Sequence, residues 1–261
     1  MTLTSEYLDR CRQICDAIGQ QESKVKLAAE WFSKTILSGR MVHVFGSGHS
    51  RIMVEEMWPR YGSFTGFNPM VELSLTFHNQ VVGSNGQRQA MFLENVSGFA
   101  ARILQNYHLS EEDTALIISS SGCNVVPIEM AENFQKKGIR VVSIITREHL
   151  EASTSKRTDG KKLSDFSDLI LDTGAPNGDA MIYVPSLDTP VSPGSTVGGV
   201  ILINAIKTEV AALLTEKGQP PKVLTSASLV GAQRSVELFE SAYDEHALRL
   251  SGLYRPDKNS I

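Results

Sequence analysis

Two short segments rich in serine and glycine contain the residue types with which proteins bind anions. The first is GSGHS at residues 46–50, and the second is SSSGCN at residues 119–124. Each follows an apolar, strand-like run and precedes a helical pattern. Glycines let the backbone approach a ligand, serine hydroxyls donate hydrogen bonds, and the first turn of a helix presents free N–H groups. Together the two segments predict a cradle for a negatively charged group.

The predicted ligand groups of this cradle are uncharged. They are Ser47, Gly48 and Ser50 in the first turn, Ser119, Ser120, Ser121 and Asn124 in the second, and Ser195 at a later helix start. Ser195 either supplies a further hydroxyl or serves only as a helix cap. Neither turn contains Arg or Lys, so anion selectivity must come from geometry, with Arg51, Arg60 and Arg88 as candidates for an added cation.

Other glycine and serine motifs fit these turns less well. A dinucleotide-binding G-x-G-x-x-G needs glycine where Arg51 stands, and a Walker loop needs a lysine after the turn. The nucleophile elbow of serine hydrolases requires G-x-S-x-G, which GSGHS does not match. Helix capping without any ligand stays open as an alternative, although three consecutive serines exceed what a cap needs.

Carboxylates and histidines near the turns are candidates for acid–base chemistry. Aldose–ketose interconversion needs a base that moves a proton between C1 and C2, and donors for the oxyanion, with no metal and no redox cofactor. Glu94 is the preferred base, as the first-turn residue of a helix over Met91 to Tyr107; a solvated glutamate there is the alternative. Glu56 is a second candidate, with a structural ion pair as an equal alternative.

Histidines supply the predicted proton donors. His49 lies inside the first turn and can protonate a ring oxygen, because imidazole titrates near neutral pH; a surface capping role is the alternative. His43 interrupts a strand and is expected to be a hydrogen-bonded core residue. His149 is expected at the surface.

The hydrophobic pattern predicts an α/β framework around these residues. Strand-like runs cover Met41 to Phe45, Ala115 to Ile118, Val141 to Ile145 and Leu169 to Leu171. Helical spacing covers 3–38, the segment from Thr196 to 217, and 225–250. Repeated strand, turn and helix indicates a parallel sheet whose ligands bind at the carboxyl ends of the strands. Gly198 and Gly199, just inside a helix, indicate a close helix contact or a close ligand.

The combination of these segments resembles the sugar isomerase (SIS) phosphosugar-binding domain family, in its single-domain bacterial branch. The resemblance rests on VFGSGHS, LIISSSGCN, the strand GIRVVSIIT, the acidic pair at 55–56 and the LENVSGFA helix at 93–100, and it covers nearly the whole chain. It implies a three-layer α/β/α sandwich with a central parallel, flavodoxin-like sheet and additional N-terminal helices.

The resemblance also implies roles for individual residues. Ser50, Ser119 and Ser121 correspond to phosphate ligands, and the late-helix position of His246 corresponds to a ring-opening histidine that other members often bring from a neighbouring subunit. The family usually has threonine where Asn124 stands, which leaves room for another anion, such as a sugar sulfonate. Related heptose-phosphate isomerases have a catalytic glutamate where Arg60 stands, so their machinery does not transfer unchanged.

Composition favours a small-molecule partner. A net charge of −4, with 41% apolar and 21% charged residues, argues against binding to nucleic acid or a membrane surface. Three cysteines are too few for a disulfide framework, no targeting segment is evident, and no stretch is expected to span a membrane. These features predict a cytoplasmic protein.

One domain is predicted over 1–261, with a helical segment at 1–39, a core at 40–218 and a helical tail at 219–261. Its long apolar helices exceed what one sheet face needs, which predicts a homodimer or a tetramer. The predicted activity is isomerisation of a sugar with a terminal phosphate or sulfonate. A non-catalytic phosphosugar sensor and a sugar-phosphate lyase or deaminase are the alternatives.

Overall fold

A parallel five-stranded sheet forms the centre of the computed structural model, which describes residues 2–254. The strand order is β2-β1-β3-β4-β5, and every neighbouring pair is parallel. The strands are β1 Val42–Gly46, β2 Phe67–Met70, β3 Thr114–Ile118, β4 Arg140–Ile145 and β5 Leu169–Asp172. A separate antiparallel pair consists of β6 Ala180–Ile182 and β7 Val191–Pro193.

Eleven α-helices surround the strands within residues 2–254. They are α1 Leu3–Gly19, α2 Glu22–Leu37, α3 Arg51–Met57, α4 Asn79–Val82, α5 Gln87–Leu93, α6 Phe99–Leu104, α7 Val125–Gln135, α8 Arg147–Ala152, α9 Ser195–Glu216, α10 Ala227–Val230 and α11 Ala232–Leu253. Short 3₁₀ helices lie at Gly48–Ser50, Leu73–Leu75 and Leu163–Phe166.

Both faces of the sheet are covered, because alternate side chains of each strand enter different cores. Val44 and Leu116 pack with α1, α2, α3 and α9 on one face. Phe45 and Ile117 pack with α6 and α7 on the other face. Strands buried on both faces read as continuous apolar runs, which is why the sequence pattern located them. The predicted three-layer α/β/α sandwich is therefore confirmed.

The prediction of a single helix from Met91 to Tyr107 is wrong. The segment from Met91 to Tyr107 forms two helices, α5 and α6, separated by a turn in which Gly98 has a φ of +85°. The carboxylate of Glu129 accepts hydrogen bonds from the Ser97 hydroxyl and the Gly98 N–H, which stabilises the turn. Glu94 consequently lies at the end of α5 and does not open a helix.

The two terminal helical regions are also divided. The spacing over 3–38 is compatible with one long helix or two shorter ones, and the structure has two, α1 and α2. The single helix predicted over 225–250 consists of α10 and α11, with Gly231 at a φ of +83° between them. Residues 255–261 of the predicted tail lie outside the described part of the chain.

Helix α9 is apolar enough, by length and composition, to cross a membrane, which the sequence analysis did not anticipate. Its most apolar 18-residue window has a mean hydropathy of 1.7. The helix packs against α1, α2 and α3, and Leu202, Ile203 and Ile206 are fully buried. Its hydrophobicity thus serves the core of the domain.

The glycine pair of α9 allows the predicted close approach. A Cβ atom at Gly198 would lie 2.0 Å from the carbonyl oxygen of Thr173, and one at Gly199 would lie 3.0 Å from Met53. The first turn of α9 therefore packs directly against the chain after β5 and against α3.

Candidate active site

A cavity of about 230 Å³ lies at the carboxyl ends of β1, β3, β4 and β5. Both serine-rich turns line it. The first turn contributes Ser47, Gly48, His49 and Ser50, and the second contributes Ser119, Ser120, Ser121 and Asn124. Glu94 and Ser195 also line the cavity. The structure thus brings together ten of the twelve residues selected from the sequence, and their roles as ligands or catalysts stay predictions.

The first turn depends on its glycines. Gly48 has a φ of +56°, and a Cβ atom there would lie 2.6 Å from the ring of Phe77. A Cβ atom at Gly46 would lie 2.6 Å from the backbone oxygen of Ser50. The Phe77 ring also lies 5.0 Å from the exposed ring of His49. Close packing therefore fixes the path of this turn.

The three serine hydroxyls of the second turn differ in their hydrogen-bond partners: two accept from backbone N–H groups, and one pairs with another hydroxyl. Ser119 Oγ accepts a hydrogen bond from the Gly122 N–H at 3.2 Å, and Ser121 Oγ accepts one from the Cys123 N–H at 3.3 Å. Because both oxygens act as acceptors, their protons can be donated to a ligand. Ser120 instead pairs with Thr146 at 3.0 Å, linking the ends of β3 and β4.

Glu94 joins the two turns. Its Oε2 accepts a hydrogen bond from Ser47 Oγ at 2.9 Å, and its backbone carbonyl accepts one from the Val126 N–H at 2.9 Å, in the first turn of α7. The side chain is partly buried, and this burial raises the pKa of Glu94, although hydrogen bonds from Ser47 and Asn124 oppose the rise. A carboxyl group with a raised pKa in a cavity is suited to proton transfer.

Ser195 does not offer a free hydroxyl. Its Oγ donates to Asp179 Oδ2 at 2.8 Å, and its N–H donates to Asp179 Oδ1 at 2.6 Å. Asp179 thus caps α9 and also lines the cavity. Asp179 gave no signal in the sequence, because it lies in a loop-rich stretch far from either turn along the chain.

His149 was wrongly placed at the surface. It lies on α8, directly after the end of β4, and lines the cavity together with Thr173 at the end of β5. The rule that ligands bind at the carboxyl ends of parallel strands applies to β4 as well, and would have selected His149.

Glu56 lies outside the cavity. Its Oε2 accepts a hydrogen bond from Arg60 at 2.5 Å, and its Oε1 accepts one from Asn204 at 2.8 Å. Burial raises the pKa of Glu56, but the hydrogen bonds from Asn204 and Arg60 outweigh it, so the pKa lies below its usual value. This arrangement fits the ion-pair alternative. Arg60 is therefore engaged away from the two turns.

His246 also lies outside the cavity of its own chain. Its ring centroid is 5.1 Å from that of Trp58, and Nδ1 is 3.4 Å from Thr65 Oγ1. Burial and the nearby Arg249 lower the pKa of His246. Its predicted catalytic role requires a neighbouring subunit and stays a prediction. His43, by contrast, is fully buried and bonded to Asn68 at 3.0 Å, as expected for a core histidine.

The sheet order and the position of the cavity define the class of protein. The chain passes from β1 outward to β2, then returns to β3 on the other side of β1. The cavity lies where this order reverses, between the turns that follow β1 and β3. Doubly wound α/β proteins of flavodoxin-like topology bind their ligands at this switch point.

The chain belongs to the SIS domain family, whose profile matches residues 6–146. A UPF0309 protein of Halalkalibacterium halodurans is 30% identical over 234 residues, covering 88% of this chain and 94% of the relative. A UPF0309 protein of Geobacillus thermodenitrificans is 31% identical over 225 residues, covering 86% of this chain and 88% of the relative.

Solved structures share the fold at low sequence identity. A phosphoheptose isomerase from Francisella tularensis superimposes with a TM-score of 0.52 at 11% identity, covering 80% of this chain and 98% of that one. The phosphoheptose isomerase from Neisseria gonorrhoeae superimposes with a TM-score of 0.50 at 14% identity, covering 80% and 96%. These similarities establish the common architecture.

Proposed function

We propose that the protein is an isomerase that interconverts the aldose and ketose forms of a sugar with a terminal anionic group. The observation that carries the proposal is the position of Glu94, a partly buried carboxyl group with a raised pKa. Its side chain is bonded to Ser47 in the first serine turn, and its backbone carbonyl is bonded to the Val126 N–H, just after the second serine turn. Membership of the SIS family and the phosphoheptose isomerase neighbours support sugar phosphates as the substrate class.

In the proposed mechanism the turns hold the anionic end of the sugar. The hydroxyls of Ser50, Ser119 and Ser121 donate to its oxygens, and the positive end of the α7 dipole faces the same group, although the Val126 N–H is bonded to the Glu94 carbonyl and Pro127 has no N–H. The α7 start is suited to this role because Asn124 makes no side-chain capping hydrogen bond there. Phosphate is the first choice of anion, and sulfonate is the alternative.

Proton transfer is assigned to Glu94. The carboxylate removes the proton from C2 of the open-chain aldose, the C1 carbonyl oxygen gains a proton, and a C1–C2 double bond forms in the enediol. Return of a proton to C1, with loss of the O2 proton, gives the ketose. His49, which lines the cavity beside Phe77, is assigned to the ring oxygen during ring opening.

The proposal is tested by solvent exchange. The protein is incubated in D₂O with hexose, pentose and amino-sugar phosphates and with sugar sulfonates, and deuterium at C2 is followed by NMR. Deuterium at C2 of the aldose, together with deuterium at C1 of the ketose that forms, supports the isomerase. Thermal stabilisation by a sugar without exchange supports the sensor instead, because a ligand that binds only the folded state raises its stability. Loss of ammonia from an amino-sugar phosphate supports the deaminase, and loss of the ether substituent from an ether-substituted sugar phosphate supports the lyase.

Assembly is part of the same proposal. We propose a homodimer or a tetramer, which would allow His246 of one subunit to approach the cavity of another. The support is the exposure of apolar side chains on the last two helices, where Leu229 is 79% exposed and Leu248 is 74% exposed. Light scattering on the purified chain measures the mass, and a monomeric mass at micromolar concentration would contradict this part of the proposal.

A further inference from the structure

Asp179 gives the cavity a second carboxylate whose position is tightly defined. It precedes β6, has a φ of +71°, and lines the same cavity as Glu94 and the two turns. Its carboxylate accepts three hydrogen bonds, from the Gly194 N–H at 3.0 Å, the Ser195 N–H at 2.6 Å and the Ser195 hydroxyl at 2.8 Å. These bonds hold the negative charge at the first turn of α9.

The helix starts around the cavity therefore differ in what they offer a ligand. At the start of α7, the Val126 N–H is bonded to the neutral backbone carbonyl of Glu94 and Pro127 has no N–H, but no carboxylate accepts there, and no side chain caps the 3₁₀ turn at Gly48–Ser50 either. At the start of α9, the carboxylate of Asp179 already occupies the place where an anion would bind. One part of the cavity thus attracts a negative group and another part repels it.

The charge of Asp179 is stabilised by the donors at the start of α9, and no Lys or Arg is present among the described residues that line the cavity. Glu94 is a second carboxyl group in the same lining. A ligand that binds one anionic end at the serine turns and extends to the start of α9 would bring a second anionic end against Asp179, where like charges repel.

We infer that Asp179 is a specificity-determining residue, which admits sugars with one anionic end and excludes sugars with two. Its carboxylate accepts hydrogen bonds from sugar hydroxyls at the end remote from the anion. This orients the sugar, because the anionic end can bind only at the two serine turns. The inference rests on the proposed function for the identity of the ligand. Its structural basis is that the carboxylate of Asp179 already occupies the start of α9, where a second anion would otherwise bind.

The test uses inorganic sulfate as the probe, so it does not depend on the substrate. Sulfate binding to the full chain is measured by calorimetry and by thermal stabilisation, with chloride at equal ionic strength as the reference. Asp179→Gly removes the carboxylate and suits the positive φ, and Asp179→Asn removes only the charge. Asp188→Gly is the matched control, since Asp188 is an exposed aspartate in the connection between β6 and β7.

We expect Asp179→Gly to bind one sulfate more per chain than the wild type and the control, with at least about a tenfold gain in affinity. Asp179→Asn should show a smaller gain in the same direction. An unchanged number of sulfates in both variants would overturn the inference. A wild type that binds no sulfate, with a variant that binds one, supports the role of Asp179 and counts against the serine cradle.

A second measurement on the wild type needs no variant. Fructose 1,6-bisphosphate should bind at least about tenfold more weakly than fructose 6-phosphate, because its second phosphate meets Asp179. Equal or tighter binding of the bisphosphate would overturn the inference even if the variants fail to fold. C2 exchange in the wild type decides the proposed function separately.

Discussion

Ser47 and Glu94 are 47 positions apart in the chain, and a hydrogen bond of 2.9 Å joins their side chains. Ser47 belongs to the turn after β1, and Glu94 lies at the C-terminal end of α5, just before the turn that leads to α6. The bond fixes the carboxyl group beside the place proposed for the anion. It also tunes that carboxyl group, because a donor to the charged form lowers its pKa.

Glu94→Gln should abolish most of the proton transfer and leave ligand binding intact. Glutamine keeps the shape of the side chain but cannot accept the C2 proton, so deuterium exchange should fall by about 10²- to 10⁴-fold. Exchange is followed by NMR and sugar affinity by calorimetry. Glu151→Gln, at an exposed glutamate of α8, is the matched control. Exchange that survives in Glu94→Gln would assign the base to another residue.

Replacing Ser119 and Ser121 together by alanine should weaken anion binding at least about tenfold, because each hydrogen bond to a charged ligand contributes about 1.5–3 kcal/mol. Titration with sulfate or with the substrate sugar measures the change. Ser251→Ala is the matched control, since Ser251 is an exposed serine of α11 whose hydroxyl donates to the Leu248 carbonyl at 2.7 Å. An affinity that is the same in the double variant and the control would refute the cradle.

Ser47→Ala should shift the pH profile of the reaction. Burial raises the pKa of Glu94, and the Ser47 hydroxyl counteracts that rise, so its removal raises the pKa further. The carboxylate is the active form of the base. The acid limb of kcat/KM against pH should therefore lie above the ordinary value for a glutamate in the wild type and move to higher pH in Ser47→Ala. A limb that stays in place or moves to lower pH would contradict this assignment.

Asp113→Asn should lower stability in a pH-dependent way. Burial alone raises the pKa of Asp113, but hydrogen bonds from His43 and Arg40 outweigh it and lower the pKa from 3.8 to about 2. The two Arg40 bonds are both 2.8 Å. The group therefore contributes about 2 kcal/mol that is present above pH 4 and is lost as the pH falls through 3.8 towards 2.

Urea unfolding between pH 3 and pH 7 measures this contribution. The difference between wild type and Asp113→Asn should be largest near neutral pH and should shrink as the solution becomes acidic. Asp188→Asn, which changes an exposed aspartate, should show no such difference. A gap that stays constant over this range would mean that the ion pair is not its source.

Gly198→Ala should destabilise the fold by about 1–3 kcal/mol, because its Cβ atom would lie 2.0 Å from the Thr173 carbonyl oxygen, where the backbone must move. Gly252→Ala is the matched control, since Gly252 is also helical but has no neighbouring heavy atom within 4 Å of the added Cβ. The control should be neutral or stabilised, because alanine favours a helix. Thermal unfolding of both variants gives the comparison, and equal stability would contradict the close packing at α9.

Local sequence was enough to locate four of the five strands of the central sheet, all but β2, and the two turns. The apolar runs that became β1, β3, β4 and β5 were visible because strands buried on both faces need apolar residues at nearly every position. The serine and glycine turns were visible because each lies directly after its strand. The rule for parallel sheets then predicted that the turns meet, and they line one cavity.

Tertiary structure decided the positions of the residues that lie in the connections between helices and strands. The break at Gly98 moved Glu94 to the end of α5, and the loop before β6 brought Asp179 onto the start of α9. Asp179 gave no local signal, because a single aspartate in a loop has no periodic pattern, whereas His149 follows β4 and could have been selected by the rule for parallel strands. Long-range packing places such residues, and the distances that make them chemically useful exist only once the chain has folded around the sheet.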